Sequence, residues 1–418
     1  MASSNISPAQ NRAVSIIGQG YVGLPLAMAA VAAGLEVVAI EKSADRVAQL
    51  NSGVSPVEDV SSKELAAAVA SGRYSVTSDF AAISNSAVVV ICVPTPLDGN
   101  REPDLTLLES AVKSIAPHLA DGTLIVNEST SYPGTLREVI VPMLQSGKSA
   151  SVKTLYFASA PERVNPGDAK WNMKNTPRLV GGIDTKSQEL ALNFYGSICD
   201  EVVATSSPEV AEAAKLLENT FRMVNISLVL ELAQVFNKAG LDINEVIDAA
   251  ATKPYGYMPF RPSVGIGGHC IPVDPLYLTW WANQQGVSSG LVEKADQISR
   301  EMPSYIAQRA MELIGSAVAN PKILVLGVAY KPGVSDTRET PVNDLVNELQ
   351  KLGAEVACHD PLLSQYDGAQ LVEASWKCDL AILATNQPGI DFSYLRSSKT
   401  TILDCTNSLK GFDGVVAL

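Results

Sequence analysis

Ala13-Val14-Ser15-Ile16-Ile17-Gly18-Gln19-Gly20-Tyr21-Val22-Gly23-Leu24 is the stretch that decides the fold. The apolar run Ala13 to Ile17 reads as a buried parallel strand. A Gly-x-Gly-x-x-Gly turn follows at once, and the Ala-rich stretch Leu24 to Ala33 reads as a helix. A second strand, Glu36 to Ile40, ends in Glu41, 18 positions after Gly23. In this strand–turn–helix setting Gly18 makes the tight turn and Gly20 lets a pyrophosphate approach the backbone. Gly23 allows close helix–strand packing, and the helix N-terminus faces the phosphates. Glu41 is placed to accept from the adenosine ribose hydroxyls and to repel a 2′-phosphate, so NAD is expected rather than NADP. Lys42 beside it softens that discrimination.

Working outward, three more apolar runs end in polar residues. Ala87 to Val93 is stopped by Pro94-Thr95-Pro96, Leu124 to Thr130 delivers Ser129 and Thr130, and Leu155 to Ser159 leads to Pro161-Glu162-Arg163. In a doubly wound sheet these residues share the carboxyl edge over the cofactor. Ser206-Ser207-Pro208-Glu209 is a helix start, and apolar residues at helical spacing run from Val210 to Val235 with Gly240 as the stop. Such a helix, about 48 Å long at 1.5 Å per residue, is expected to bridge two domains and to offer a dimer face. Lys215 and Asn219 share one face of it. A second helix runs from Ile243 to Ala251. From Pro321 a new α/β unit begins: strand Lys322 to Gly327, helix Pro341 to Leu352, strand Ala354 to Asp360, then Asp379 to Thr385 and Thr401 to Asp404. It lacks Gly-x-Gly-x-x-Gly, so a second dinucleotide is not expected there, but a nucleotide-like ligand at its strand edge fits. The fold class is therefore α/β, two Rossmann-like parallel-sheet domains joined by a long central helix. The divisions are 1–205, 206–305 and 306–418.

Composition narrows the partners. The chain has 418 residues, enough for two or three domains, with 46% hydrophobic and 18% charged residues. A net charge of −13 argues against nucleic acid and against an anionic membrane surface. Six cysteines without CxxC spacing and three histidines make neither a disulfide scaffold nor a zinc site, so no metal is expected. Met1 to Arg12 carries no apolar h-region, and Leu24 to Leu35 is too short to span a bilayer. A reducing cytoplasm is the expected compartment.

One thiol stands out. Cys270 lies in Gly265-Ile266-Gly267-Gly268-His269-Cys270-Ile271-Pro272-Val273-Asp274, a glycine-dense loop with a carboxylate four residues on. Glycines admit close approach of a ligand, and a thiolate is a nucleophile for an aldehyde or acyl group. A buried structural cysteine in a turn is the plainer alternative. Upstream, Thr252 to Pro262 is an aromatic, proline-rich loop that could wall a pocket or cover a core.

Taken together, Gly18-Gln-Gly-Tyr-Val-Gly, Val93-Pro-Thr-Pro, Glu128-Ser-Thr, Pro161-Glu-Arg, Lys215-Leu-Leu-Glu-Asn219, Gly267-Gly-His-Cys-Ile-Pro-Val-Asp274 and Gly327-Val-Ala-Tyr-Lys331 resemble the UDP-glucose/GDP-mannose dehydrogenase superfamily over nearly the whole chain. Arg101-Glu-Pro-Asp104 and Ala250-Ala-Thr-Lys-Pro254 look most like its UDP-N-acetylglucosamine 6-dehydrogenases. UDP-N-acetylmannosamine dehydrogenases share part of this pattern. The resemblance implies oxidation of a sugar C6 alcohol to a uronate with two NAD⁺. In it Cys270 forms a thiohemiacetal and then a thioester. Lys215 and Asn219 would stabilise the oxyanion, and Asp274, Thr130 and Glu162 would position or activate water. It also implies cofactor contacts from Gly18, Gly20, Tyr21, Val22, Gly23, Glu41, Lys42, Arg46, Pro94, Thr95, Thr130 and Arg338. Contacts to the UDP-sugar would come from Glu162, Arg163, Lys215, Asn219, Arg222, Tyr255, Tyr257, Phe260, Arg261, Gly267, Tyr330 and Lys331. A homodimer is implied. Val273, Pro166 and Asp404-Cys-Thr-Asn407 depart from the glucose-specific pattern, and these departures bear on the sugar and on which residue activates water rather than on the reaction type. Two other classes compete. A nucleotide-sugar-binding protein without turnover would give no NADH. A two-electron 3-hydroxyacid dehydrogenase would share the long helix but need no nucleophilic thiol.

Overall fold

The computed structural model describes residues 13–164 and 170–418. Pro166 therefore lies outside the described residues. The chain divides into two compact units, Met1–Glu218 and Asn219–Leu418.

In the first unit the strands are β1 (Ala13–Ile17), β2 (Val37–Ile40), β3 (Tyr74–Thr77), β4 (Ser86–Ile91), β5 (Leu124–Asn127), β6 (Tyr156–Ser159), β7 (Arg178–Gly182) and β8 (Val202–Ala204). They form one sheet in the order β3-β2-β1-β4-β5-β6-β7-β8. The order reverses direction at β1, so the ends of β1 and β4 flank the crevice where a doubly wound sheet takes its ligand. Alternate residues enter opposite layers: Val14 and Ile16 join one core and Ile17 the other. Because both faces are covered, these strands read as continuous apolar runs rather than as alternating ones. Pairing is parallel except between β6 and β7, which run antiparallel. The connecting helices are α1 (Gly23–Ala32), α2 (Ala44–Asn51), α3 (Ser62–Ala70), α4 (Thr106–Ile115), α5 (Val141–Gly147) and α6 (Thr185–Gly196). The runs read from sequence as Ala87–Val93 and Leu124–Thr130 leave the sheet earlier, at Ile91 and Asn127, so Ser129 and Thr130 stand in the loop beyond β5.

Helix α7 spans Pro208–Lys238, 31 residues. It ends where Gly240 takes φ +72, a left-handed stop without a Cβ penalty. Val210, Leu217 and Val224 repeat at seven-residue spacing along it, as do Phe221, Leu228 and Val235. All but the half-buried Val224 are exposed. That is a two-position heptad seam, touched at Phe221 by the Phe260 ring and otherwise largely exposed among the described residues.

The second unit continues with α8 (Ile243–Ala251), α9 (Asp274–Gln284), α10 (Gly290–Ile314), α11 (Val342–Lys351) and α12 (Ser393–Ser397). Its strands are β9 (Lys322–Leu326), β10 (Glu355–His359), β11 (Gln370–Leu371), β12 (Leu380–Leu383), β13 (Thr401–Asp404) and β14 (Val415–Ala417). They pair in the order β11-β10-β9-β12-β13-β14, every pair parallel. Ile323 and Val325 face one core layer, and Leu324 and Leu326 the other. Among the described residues no helix is long and apolar enough to cross a membrane.

Candidate functional site

The glycine turn of the first unit separates two kinds of requirement. A Cβ on Gly18 would meet the Cys92 carbonyl oxygen at 2.4 Å, and one on Gly23 the Gly18 carbonyl oxygen at 1.9 Å. Gly18 also takes φ +93. The fold itself demands both glycines. A Cβ on Gly20 would meet nothing within 4 Å, so the protein leaves open space at the glycine where a pyrophosphate would pass. Glu41, at the end of β2, accepts from the backbone N–H of Gln19 at 3.2 Å and from that of Ser43 at 3.0 Å. Its carboxylate is thus held against the turn, as a ribose acceptor would be. Tyr21 and Val22 are half-buried at the start of α1, whereas Lys42 and Arg46 are exposed. These residues fit a dinucleotide.

The loops after β4 and β5 are stitched together. Thr95 Oγ1 donates to the Thr130 carbonyl at 2.6 Å, and Val93 N–H donates to Ser129 Oγ at 2.9 Å. Pro94 is exposed and Thr130 half-buried.

Beneath this edge lies a buried ionic knot that sequence reasoning missed. Arg178, on β7, donates to Glu162 Oε2 at 2.7 Å and to Glu128 Oε2 at 3.2 Å, and the Tyr195 hydroxyl donates to the other Glu128 oxygen. Glu162 Oε1 accepts from the N–H groups of Arg163 and Val164, both at 2.6 Å. Burial opposes its charge, but Arg178, the Val164 N–H and, further down, the nearby Lys215 ammonium hold its carboxyl below the usual range. Both oxygens of Glu162 are thereby engaged in shaping the loop. Burial pushes the Glu128 carboxyl up to about 7 against the pull of Arg178. Arg163 pairs with Glu218 at 2.7 Å. Lys215 is 8% exposed, close enough to Glu162 for the two charges to interact.

In the second unit the Cys270 loop is moulded on the segment after β9. A Cβ on Gly267 would meet Tyr330 Cβ at 2.8 Å and Pro341 Cδ at 2.9 Å, and one on Gly268 the Tyr330 ring at 2.9 Å. Ile266 N–H donates to Ser299 Oγ of α10 at 2.9 Å. The Cys270 carbonyl accepts from the N–H groups of Val273 and Asp274, at 3.1 and 2.8 Å. The thiol therefore belongs to the turn that opens α9, whose amide dipoles favour negative charge. Cys270 is half-buried. The other five thiols are all pushed up by burial; four of them are buried and Cys378 is half-buried. Asp274, the first residue of α9, is buried and accepts from the Asn219 side chain at 2.5 Å. Lys215 lies one turn before Asn219 on the same helix face.

His269 Nδ1 lies 3.4 Å from an Arg338 guanidinium nitrogen, and Arg338 pairs with Asp336 at 2.6 Å. Burial opposes the Asp336 charge, but Arg338 keeps its carboxyl below the usual range. Lys331 lies over the Tyr330 ring at 5.6 Å. At the end of β10 the Asp360 carboxylate accepts from the N–H groups of Val328 and Ala329, at 2.8 and 3.2 Å. Like Glu41 it holds the loop after the neighbouring strand, but Asp360 is buried where Glu41 is half-buried. The aromatic loop splits. Phe260 packs edge-on against Phe221 at 6.0 Å, and Arg261 pairs with Asp248 of α8. Tyr255 is 72% exposed, with the Lys253 ammonium 5.1 Å from its ring, and Tyr257 and Arg222 are exposed.

A doubly wound sheet with this turn and acid, followed by a second parallel sheet, is the architecture of a dinucleotide-binding α/β protein. Residues 12–199 match the NAD binding domain of the UDP-glucose/GDP-mannose dehydrogenase family, 209–301 its central domain and 324–411 its UDP binding domain. The chain belongs to that family and is an NAD-dependent UDP-sugar dehydrogenase. It is 35% identical over 359 residues to the UDP-N-acetyl-D-glucosamine 6-dehydrogenase of Pseudomonas aeruginosa, covering 85% of this chain and 84% of that one. It is 34% identical over 382 residues to the UDP-N-acetyl-D-mannosamine dehydrogenase of Pyrococcus horikoshii, covering 90% and 89%. A solved structure of a UDP-D-ManNAc dehydrogenase from Pyrococcus horikoshii superposes with a TM-score of 0.87 at 31% identity, over 97% of this chain and 98% of that one.

Proposed function

We propose that this chain oxidises the C6 hydroxyl of a UDP-N-acetylhexosamine to the uronate, with UDP-GlcNAc the favoured substrate, UDP-ManNAc the next and UDP-glucose the third. The observation that carries the reading is the α9 turn. A half-buried thiol on a glycine loop shares that turn with a buried aspartate, itself bonded to Asn219. NAD accepts the hydrides. The Lys215 ammonium and the Asn219 amide steady the oxyanion, and so help the alcohol proton leave to water. Cys270 Sγ adds to the aldehyde carbon to give a thiohemiacetal, and loss of a second hydride leaves a thioester. Water attacks the thioester and releases the uronate and the thiol. Per sugar, one water and two NAD⁺ are consumed, and two NADH and three protons appear.

Asp274 and Thr130 position that water. Glu162 acts with them by fixing the Pro161–Arg163 loop, its oxygens being held by Arg178 and backbone N–H groups. Arg163, Arg222, Tyr255, Tyr257, Phe260, Arg261, Gly267, Tyr330 and Lys331 receive the UDP-sugar. Pro94, Thr95 and Arg338 join the turn residues at the cofactor. The chain is organised as an NAD-binding part (1–205), a central helical dimerisation part (206–305) and a UDP-sugar-binding part (306–418). It acts as a cytoplasmic homodimer; the exposed apolar seam on α7 supports the pairing. NADH release from UDP-GlcNAc, UDP-ManNAc, UDP-Glc and UDP-GalNAc tests the substrate: two NADH per sugar are expected, with the highest kcat/KM on UDP-GlcNAc. Cys270→Ser should form no uronate in the steady state; full activity in that variant would overturn the covalent route.

A further inference from the structure

The phosphate-turn argument asks nothing of Gln19, the variable residue between Gly18 and Gly20. Its side chain is nevertheless fully buried and bonded at every turn. Nε2 donates to the Gly18 carbonyl at 2.9 Å and to the Ile16 carbonyl at 3.2 Å, while Oε1 accepts from the Tyr74 hydroxyl at 2.9 Å. The Gln19 backbone N–H holds Glu41. Tyr74 opens β3, two strands away from β1 in the sheet, and is itself buried. Burial first, and then the Glu41 charge, push its hydroxyl up, so it remains a donor.

We propose that Tyr74 is a positioning residue for cofactor recognition: through Gln19 it fixes the Glu41 carboxylate against the Gly18–Gly23 turn, and so sets both the affinity for NAD and the preference for NAD over NADP. The inference rests on the assignment of Glu41 to the ribose. The chain of contacts is short. Removing the Tyr74 hydroxyl leaves Gln19 Oε1 buried without a donor. The amide then turns to find one, the Gly18 carbonyl loses its clamp, and the N–H that points Glu41 moves with it.

The test is Tyr74→Phe in the full chain. NAD binding is followed by calorimetry, and steady-state rates are taken with NAD and NADP. The KM for NAD should rise about fivefold and the NAD-over-NADP ratio of kcat/KM should fall. The KM for the UDP-sugar should not move. An unchanged KM for NAD overturns the proposal. So does an equal rise in both KM values, which is what a merely structural tyrosine would give. Gln19→Met, of similar length and without the amide, should shift the NAD parameters in the same direction. The double variant should lose no more than the worse single one, and fully additive losses would overturn the coupling. Should the Phe variant not fold, the Gln19→Met result decides alone. Glu41→Gln separates the two layers: if it leaves the NAD-over-NADP ratio unchanged, the ribose assignment fails. If it shifts that ratio and Tyr74→Phe does not, only the role of Tyr74 fails.

Discussion

The Asn219 side-chain amide donates to the Asp274 carboxylate across 2.5 Å, joining α7 to the first residue of α9. The contact ties a helix that carries Lys215 to the turn that carries Cys270. It also satisfies part of a buried charge. Asn219→Ala should therefore do two things. Folding stability should fall by about 1–3 kcal/mol, the cost of leaving a buried acceptor short of its donor. The rate should fall by about 100-fold if Asn219 also steadies an oxyanion. Urea unfolding and NADH production measure the two separately; a variant that loses stability but keeps its kcat would restrict Asn219 to a structural role.

The glycine turn makes a sharper separation. At Gly23 an added Cβ strikes a carbonyl oxygen at 1.9 Å, whereas at Gly20 it meets nothing within 4 Å. Gly23→Ala should unfold the protein at lower denaturant. Gly20→Ala should leave stability unchanged or raise it by about 0.4–1 kcal/mol, yet weaken NAD binding at least tenfold by filling the pyrophosphate path. Calorimetric titration with NAD checks this, and undiminished affinity in Gly20→Ala would mean that the phosphates lie elsewhere.

The α7 seam predicts an assembly. Leu217, Phe221, Leu228 and Val235 are exposed at heptad positions, an arrangement that buries apolar surface when two such helices pair. Leu228→Glu replaces an exposed side chain, so it should cost the single chain at most about 0.5 kcal/mol. In sedimentation the variant should run at monomer mass where the parent runs as a dimer. A variant that stays dimeric would place the interface on another surface.

What could be read from residues alone was what local geometry dictates. Gly18 must be glycine because it turns with φ +93 against the Cys92 carbonyl. The long helix announced itself by periodicity between Pro208 and Gly240. Ile243–Ala251 and Thr401–Asp404 fell where their apolar pattern put them. Helix α10 was not read, because Pro303 sits inside it and proline forfeits a helical donor; here Pro303 is buried within the helix. Nor was the knot of Arg178, Glu128, Glu162 and Tyr195, whose members lie up to 67 positions apart and find one another only after β5, β6 and β7 pair. Glu162 is read from sequence as one of the residues that position or activate water; that its oxygens also accept from Arg178 and from the Arg163 and Val164 N–H groups is something composition could not disclose. The reversal at β7 was equally hidden, since the short run Arg178–Gly182 carries no mark of strand direction.

The buried carboxyls make stability depend on pH in a stated direction. Glu212, on α7, accepts from the N–H groups of Gly134 and Leu136, at 2.8 and 3.3 Å. Burial outweighs those bonds and pushes its carboxyl up to about 8. Glu128 is likewise raised, to about 7. In the folded state both groups keep a proton that the unfolded chain releases near the ordinary value of 4.5. The folded form therefore binds more protons between those values, and stability must fall as pH rises through that window. It is fully present below about 4.5 and lost as pH passes 7 to 8. Glu162 works in the opposite sense, because its carboxyl is held below the usual range and its contribution disappears in acid. Glu212→Gln keeps the shape and an acceptor but cannot ionise. Urea midpoints of parent and variant should converge near pH 5 and separate towards pH 8. The parent should lose up to about 1.4 kcal/mol per pH unit relative to the variant. Parallel curves across that range would mean that Glu212 is already ionised in the folded protein.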